Sequence, residues 1–295
     1  MTAPLPYLQR IRDYYRALGY ETPYRWASFD NVPFQPLKKS LNRSTIGIVT
    51  TAAPYQPDKG DQGPGAAYNG SAKFYDVYTQ PTNVKPDLRI SHIAIDRTHT
   101  TAEDMGTYFP LLALQKLQAS GIINQISPRF YGLPTNRSHR TTIDIDCVEL
   151  TQKCVEDGVD AAVLVPNCPV CHQSVSLAAR ALEQAGISTV IMGCAKDIVE
   201  HVGVPRLLFS DFPLGNAAGL PNHGESQLET ARLALDLLVS ATEPRTTNQS
   251  LQTWSGASDW KKDYSNAALL SEAELARRRE EFDQGKQDAK RAAQR

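Results

Sequence analysis

The stretch that most constrains this chain is an apolar run that leads through two cysteines into a helix. Residues Val159–Val165 are largely apolar and β-branched, which is typical of a strand buried on both faces of a parallel sheet. Pro166 and Asn167 end the run, and Gln173–Gln184 then carries apolar residues at helical spacing. A buried strand followed by a short turn and a helix predicts a parallel α/β unit.

The turn between this strand and helix reads Cys168-Pro169-Val170-Cys171. Pro169 suits the first position of a helix, which makes Cys168 the residue that caps the helix. A thiol there lies at the positive end of the helix dipole, near free backbone N–H groups, and such surroundings lower the pKa of a thiol. We therefore expect a nucleophilic sulfur at neutral pH.

The same alternation of strand and helix recurs along the chain. Strands are expected at Thr45–Thr50, Leu88–Ile95, Ser188–Met192 and Arg206–Ser210, and helices at Pro6–Gly19, Phe109–Ser120, Ile143–Asp157 and Glu225–Ala241. This order predicts an α/β fold of parallel sheets with helices on both faces, in a Rossmann-like or Asp/Glu-racemase-like two-lobed architecture.

Composition divides the chain into three predicted segments. Residues 1–44 form an N-terminal helix and arm, and residues 242–295 form a polar C-terminal extension. Between them, residues 45–241 form the α/β catalytic core, which can divide into lobes at 45–140 and 141–241.

Net charge and cysteine content argue against several classes of function. The net charge of -1 gives no electrostatic attraction for nucleic acid or an anionic membrane, and no apolar run is long enough to span a bilayer. The N-terminal residues lack the apolar core of a signal peptide, so a cytoplasmic location is expected. Five cysteines in such a chain indicate catalysis, redox chemistry or metal binding, not a disulfide framework.

Chemically capable residues cluster after the predicted strands, at the edge where open parallel sheets bind ligands. The candidate catalytic residues are Cys168, Cys171, Cys194, His99 and Asp96. The candidate substrate-binding residues are Thr50, Thr51, His92, Asn167, His172, Asp211 and Asn216. For His92, which falls inside a predicted strand, the alternative is an ordinary core histidine.

The string CPVCH permits four interpretations. A redox or nucleophilic thiol pair is favoured, and two small buried side chains are the structural alternative. The string also matches a c-type haem attachment, but an export signal is missing and the motif lies inside an α/β core. Zinc bound by Cys168, Cys171, Cys194 and a histidine is the fourth, and the lack of a second CxxC argues against it. We expect neither metal nor cofactor.

Six segments carry a resemblance that covers most of the chain from Thr45 to Tyr264. They are TIGIVTTAAPY at Thr45–Tyr55, SHIAIDRT at Ser91–Thr98, EDMGTYFPLLALQKLQASGII at Glu103–Ile123, DGVDAAVLVPNCPVCHQSV at Asp157–Val175, DFPLGNAAGLPNHGESQ at Asp211–Gln227 and WSGASDWKKDY at Trp254–Tyr264. Together they resemble the glycine/sarcosine/betaine reductase selenoprotein B and D-proline reductase family.

The resemblance implies roles for the two cysteines. Cys168 stands at the cysteine and Cys171 at the selenocysteine of the family's Cys-x-x-Sec pair. It therefore implies Cys171 as the reactive atom, whereas the capping argument favours Cys168, and the order of the two thiol pKa values stays open. Gly106 and Leu112-Ala113 stand where the family carries Asn and Asp-Arg, which suggests a different, less charged substrate. The resemblance also implies partner subunits, including one that bears a reactive carbonyl.

Three functions follow as alternatives. The leading one is reductive bond cleavage in a small amino-acid-derived or cyclic nitrogen substrate, with an external thiol as reductant and no cofactor. The second is non-redox: a desulfhydrase or hydrolase of a cyclic amide or thioamide such as a thiohydantoin, or a racemase that also uses Cys194. The third is a non-catalytic subunit of a reductase complex, or a metal- or ligand-binding protein. A homo-oligomer and a reductase partner subunit are the expected protein partners.

Overall fold

The computed structural model describes residues 3–63, 66, 68–90, 92–254 and 259–292. The strands are β1 (Thr45–Thr50), β2 (Ala53–Pro54), β3 (Tyr78–Pro81), β4 (Leu88–Arg89), β5 (Gln125–Ile126), β6 (Arg129–Gly132), β7 (Ala161–Val165), β8 (Ser188–Gly193), β9 (Arg206–Phe209) and β10 (Thr246–Gln249). The helices are α1 (Tyr7–Ala17), α2 (Leu111–Ala119), α3 (His139–Thr141), α4 (Cys147–Glu156), α5 (Pro169–Gln184), α6 (Lys196–Val202), α7 (Gly224–Ser240), α8 (Trp260–Asp263) and α9 (Glu272–Ala292).

One large, mostly parallel sheet organises these elements. Its strand order is β10-β9-β8-β7-β1-β6-β3, β5 also pairs with β1, and only the edge pair β3–β6 is antiparallel. Strands β2 and β4 form a separate antiparallel pair. The predicted α/β fold class is confirmed, while the Rossmann-like and racemase-like descriptions stay predictions. The sheet runs through both predicted lobes, and β10 joins it from the predicted polar extension.

The centre of the sheet explains why β7 is apolar throughout. Val163 and Val165 pack into the hydrophobic core on one face, and Ala162 and Leu164 pack into the core on the other. Because neighbouring residues of a strand point to opposite faces, burial of both faces requires a continuous apolar run. Strand β1 pairs with β7 up to its last residue, Thr50, so the turns after the two strands lie side by side.

The predicted strand at Leu88–Ile95 is wrong beyond its first two residues. Among the residues described in this stretch, which leave out residue 91, only Leu88–Arg89 is a strand, and it lies outside the large sheet. Side chains satisfy the backbone carbonyls that follow: Arg97 Nη2 donates to the His92 carbonyl at 2.6 Å, and the Tyr264 hydroxyl donates to the Ala94 carbonyl at 3.0 Å. Ile90 and Ile95 still enter the core, but they lie five residues apart and do not follow the two-residue period of a strand.

The two ends of the chain pack together near the carboxyl edge of the sheet. Phe282 of α9 packs against Tyr15 and Tyr20, with ring centroids 5.1 and 5.4 Å apart. The Arg137 guanidinium lies over the same Phe282 ring, 5.4 Å from its centroid. Helix α9 therefore reaches the loops that surround the cysteine turn. Among the residues that the structure describes, none of the helices combines the length and the apolar character needed to cross a membrane.

Candidate active site

The cysteine turn has the helix-cap geometry predicted from the sequence. Cys168 is extended at the N-cap, Pro169 opens α5, and the Cys168 sulfur accepts the Cys171 backbone N–H at 3.2 Å. Because Cys171 lies in the first helical turn, both thiols sit at the positive end of the helix. Cys168 is 4% exposed and Cys171 has no exposed surface.

The surroundings of Cys171 favour its thiolate. Burial raises the pKa of this thiol, but hydrogen bonds from Cys168, His92 and Thr135 outweigh burial, and the pKa lies well below its ordinary value. The Thr135 hydroxyl is 3.3 Å from the Cys171 sulfur. Burial, followed by the hydrogen bond to Cys171, raises the pKa of Cys168 well above its ordinary value. The arrangement therefore favours one shared proton, held on the Cys168 sulfur.

His92 reaches Cys171 from a loop and not from the predicted strand, which corrects the sequence interpretation. Its Nδ1 atom is buried and has no hydrogen-bond partner among the described residues. Arg97 fixes this loop, because its guanidinium donates to the carbonyls of His92 and Ala66 at 2.6 and 2.5 Å. The imidazole is thus held against the sulfur with one ring nitrogen still available.

Cationic side chains surround the thiol pair. Arg97 and Lys73 lie close enough to Cys168 for electrostatic interaction, and Arg137 lowers the pKa of that thiol. Burial lowers the pKa of Lys73, followed by its repulsion from Arg137. Lys73 lies over the Tyr75 ring and Arg137 over the Phe282 ring, and neither forms an ion pair with another described residue, so no described carboxylate neutralises either charge.

Sequence reasoning missed Lys73, Thr135 and Arg137. Lys73 lies in the loop between β2 and β3, and Thr135 and Arg137 lie in the loop between β6 and α3. The one available signal was length, because the glycine- and proline-rich loop that begins at Thr51 is too long for a simple connection.

Thr51 and Asn167 join the turns after β1 and β7. The Thr51 hydroxyl accepts both the backbone N–H and the side-chain N–H of Asn167, each at 3.1 Å. The Asn167 Oδ1 atom is buried and has no partner within the described chain. Thr50 is also buried, and its hydroxyl accepts the Ala52 backbone N–H at 3.1 Å. The threonines therefore support the turns, while Asn167 retains a free acceptor beside the cysteines.

His172 connects the cysteine turn to the turn after β8. Its Nε2 accepts the backbone N–H groups of Cys194 and Ala195 at 3.0 and 3.1 Å. Nδ1 therefore carries the proton and donates to the Cys168 carbonyl at 2.8 Å. Burial lowers the pKa of His172 to about 4, so the ring is neutral at pH 7. With both nitrogens occupied, the ring positions the two turns and has no atom for the substrate contact expected from the sequence.

The other cysteines have environments that do not favour a thiolate. Burial, followed by the charge of Asp211, raises the pKa of Cys194. Burial raises the pKa of Cys147 and of Cys154 to about 12, and both pack into the core. No partner thiol for the Cys168–Cys171 pair is therefore indicated at Cys194.

The acidic candidates make contacts within the fold. Asp96 accepts the His99 backbone N–H at 3.2 Å and the His99 Nδ1–H at 2.9 Å, and the His99 Nε2 lies 3.5 Å from Asp263. Asp211 pairs with Lys261 of α8. These contacts fix the loop before α2 and anchor α8. Asp96 was expected from the sequence to be catalytic and Asp211 to bind substrate, but both carboxylates make these contacts within the fold instead.

Asn216 also bonds within the fold. Its side-chain N–H donates to the Pro213 carbonyl at 3.1 Å, and its Oδ1 accepts the Thr100 hydroxyl at 3.3 Å. The substrate contact expected from the sequence would therefore have to use the second N–H or the second lone pair of this amide.

A cavity of about 720 Å³ lies apart from the cysteines and contains the family departures Gly106 and Leu112 in its wall. A Cβ atom on Gly106 would lie 2.2 Å from Gln227 Oε1. Gln227 itself donates to Asp104 at 2.7 Å and fills the space that a larger residue would need. These two departures therefore alter this separate cavity, and the inference of a less charged substrate at the thiols loses its structural basis.

Metal ligands are not grouped in the parts of the chain that the structure describes. No set of three or more histidine, cysteine, aspartate or glutamate side chains in these ranges could hold an ion.

Comparison with known proteins agrees with the motifs. The family model described as glycine/sarcosine/betaine reductase selenoprotein B (GRDB) matches residues 12–167, which is more than half of the chain. The D-proline reductase subunit gamma of Acetoanaerobium sticklandii is 28% identical over 206 residues, 69% of this chain and 82% of that protein.

Two further relatives are components of reductase complexes. The glycine reductase complex component B subunit gamma of Peptoclostridium acidaminophilum is 26% identical over 77% of this chain and 52% of its own length. The sarcosine reductase complex component B subunit beta of the same organism is 24% identical over 76% and 51%. The chain thus spans about half the length of these two proteins. No solved structure matches it. The resemblance is confirmed, and this chain belongs to the glycine/sarcosine/betaine reductase selenoprotein B family.

Proposed function

We propose that this chain is the thiol-bearing component of a reductase that acts on a small amino-acid-derived or cyclic nitrogen substrate. Cys171 is the nucleophile and Cys168 the resolving thiol. The observation that carries the proposal is the surroundings of the Cys171 sulfur, where Cys168, His92 and Thr135 all stabilise the thiolate. The names of the relatives support a reductase role at the level of the family.

The first step is carbon–nitrogen cleavage. The Cys171 thiolate attacks the carbon that carries the nitrogen, a sulfur–carbon bond forms, and the electron pair of the broken bond leaves with the nitrogen. The nitrogen takes the proton that Cys168 shares with Cys171, which turns Cys168 into a thiolate. Cleavage thus produces the Cys168 thiolate that the second step requires.

The second step resolves the thioether. The Cys168 thiolate attacks the Cys171 sulfur, a disulfide forms, and the electron pair of the sulfur–carbon bond stays on carbon, which takes a proton from solvent. An external dithiol then reduces the disulfide and is itself oxidised to a disulfide. Each turnover consumes two electrons, and a carbon–hydrogen bond replaces the carbon–nitrogen bond.

The side chains around the thiols indicate which chemical groups the substrate would have. Lys73 and Arg137 offer positive charge that no described carboxylate pairs with, which suits a carboxylate on the substrate. Asn167 offers a buried acceptor for a substrate N–H group. A carboxylate next to the attacked carbon would also help to stabilise the charge that develops there in the second step.

A partner subunit belongs to the proposal. The relatives are named as subunits of reductase complexes, and a partner that bears a carbonyl could convert the substrate amine into an imine before the thiolate attacks. The raised pKa of Cys194 offers no support for the two-cysteine racemase alternative.

The test is mass spectrometry of the reduced protein after incubation with candidate amino acids and cyclic amides. Without dithiol, the proposal predicts a substrate adduct on Cys171 or a Cys168–Cys171 disulfide, and no more than one turnover. Cys171→Ser should show neither product, whereas the matched variant Cys154→Ala should behave like wild type. Repeated turnover without any thiol and without disulfide would refute the reductive mechanism and support the hydrolase or desulfhydrase class.

A further inference from the structure

The helix that precedes the central strand contains a wide turn that reverses its hydrophobic pattern. Between α3 and α4, residues Thr142–Asp146 form a π-helical turn. A regular helix that buries Cys147, Leu150 and Cys154 would also place Ile143 on the buried face, since it lies four residues before Cys147. Instead Ile143 is 41% exposed, while Asp146 is 2% exposed. The extra residue of the π turn thus turns Ile143 outward, while Asp146, four residues before the buried Leu150, lies on the buried face of the helix.

This inversion needs a reason, because burial of a carboxylate and exposure of an isoleucine both oppose folding. The buried Asp146 accepts a hydrogen bond from the Asn136 side-chain N–H at 2.8 Å. Asn136 directly follows Thr135, whose hydroxyl lies 3.3 Å from the Cys171 sulfur. The π turn is therefore linked to the nucleophile through two hydrogen bonds and the peptide unit between Thr135 and Asn136.

We propose that Asp146 is a positioning residue, which acts through Asn136 to hold the Thr135 hydroxyl against the Cys171 sulfur. This inference rests on the proposed role of Cys171 as the nucleophile. Thr135 lies in a loop without regular structure, so its hydroxyl needs an anchor if it is to donate to the thiolate continuously. Asp146 provides that anchor from a helix that packs against α5, the element that carries Cys171.

Other charged groups face this pair and enter the design of the test. Asp76, Glu149 and Lys73 act on Asp146. Lys73 also lies in the electrostatic range of both thiols, so the loss of the Asp146 charge changes the field at Cys171 directly. A variant that removes the charge but keeps the hydrogen bond separates this effect from positioning. Asp146→Asn does so, because its amide oxygen can still accept from Asn136.

The experiment follows the thiolate absorbance of the reduced protein against pH, with Cys171→Ser as the blank. Thr135→Val keeps the shape of the side chain and removes the hydroxyl, and we expect it to raise the Cys171 midpoint by about one pH unit, or tenfold less thiolate at a given pH. Asp146→Ala should raise the midpoint similarly, whereas Asp146→Asn should leave it at or below the wild-type value, because the hydrogen bond stays and the loss of a nearby negative charge favours the thiolate. Asp144→Ala removes an exposed carboxylate from the same turn and serves as the matched control.

The possible results distinguish the positioning role of Asp146 from the proposed function of the chain. An Asp146→Ala midpoint equal to wild type, or an Asp146→Asn midpoint as high as that of Asp146→Ala, would overturn the positioning role. If Asp146→Ala does not fold, Asn136→Ala breaks the same hydrogen bond from the other side and should give the same shift. The titration uses no substrate. A protein that shows these shifts but turns over repeatedly without any thiol and without disulfide would therefore disprove the proposed function and leave the positioning role intact.

Discussion

Replacement of His172 gives the most quantitative prediction of this structure. The ring is fully buried and neutral, and it accepts two backbone N–H groups while it donates to a third backbone group. Burial lowers its pKa from 6.5 to about 4, a difference of about 2.5 pH units. Each pH unit corresponds to about 1.4 kcal/mol, so the proton linkage amounts to about 3.5 kcal/mol.

The sign follows from the proton counts. Above pH 6.5 His172 is neutral in both the folded and the unfolded protein, and it adds no pH dependence. Between pH 6.5 and about 4 the unfolded chain binds a proton that the folded chain does not, so the free energy of unfolding falls as the pH falls. The contribution of His172 is thus fully present near pH 7 and is lost progressively toward pH 4.

The assay is urea unfolding of wild type and His172→Gln at several values between pH 7 and pH 4.5. At pH 7 the variant should be less stable by about 1–3 kcal/mol, because glutamine cannot satisfy all three backbone groups. This difference should shrink as the pH falls, because glutamine does not titrate. His201→Gln, at an exposed position on α6, is the control and should keep the wild-type profile. A constant difference between wild type and His172→Gln would refute the linkage.

Three further predictions concern the site. Cys171→Ser and Cys168→Ser should each lose about 10²-fold or more in activity, whereas Cys154→Ala should stay near wild type; full activity in Cys171→Ser would remove it as the nucleophile. Lys73→Ala and Arg137→Ala should each raise KM for a carboxylate substrate by about tenfold, the loss expected for one charged contact, and a larger effect on kcat than on KM would contradict a binding role. Elemental analysis of protein purified without chelator should find well under one zinc per chain, and a stoichiometric metal released only on unfolding would mean that the thiolates are structural.

The central unit could be predicted because its signals are local. An apolar run, two residues that end it and a proline at the first helical position specified β7, the turn and α5 without knowledge of the rest of the chain. Strands β3 and β10 escaped prediction because they are short, largely polar and half-exposed. Only their pairing with β6 and β9 makes them strands, and such pairing is not a local property.

The surroundings of Cys171 could be predicted only in part. His92 was a candidate by residue type, inside a predicted strand, but its contact with the sulfur depends on a loop that Arg97 and Tyr264 hold in place. Thr135 is an ordinary threonine in a polar loop, and nothing next to it in the sequence marks its role. Its position depends on β6 lying beside β1, and on the π turn that orients Asp146.

The two cysteines show why a helix cap alone does not decide which thiol ionises. Cys168 is the cap, and its sulfur accepts one backbone N–H, yet burial and its role as a donor to Cys171 raise its pKa. Cys171 lies three residues later, where the Thr135 hydroxyl and the His92 imidazole also reach the sulfur. In a buried pair only one thiolate is tolerated, and the negative charge goes to the sulfur with more donors. The physical argument therefore favours Cys171, which is also the position that the resemblance to the family predicts as the selenocysteine position.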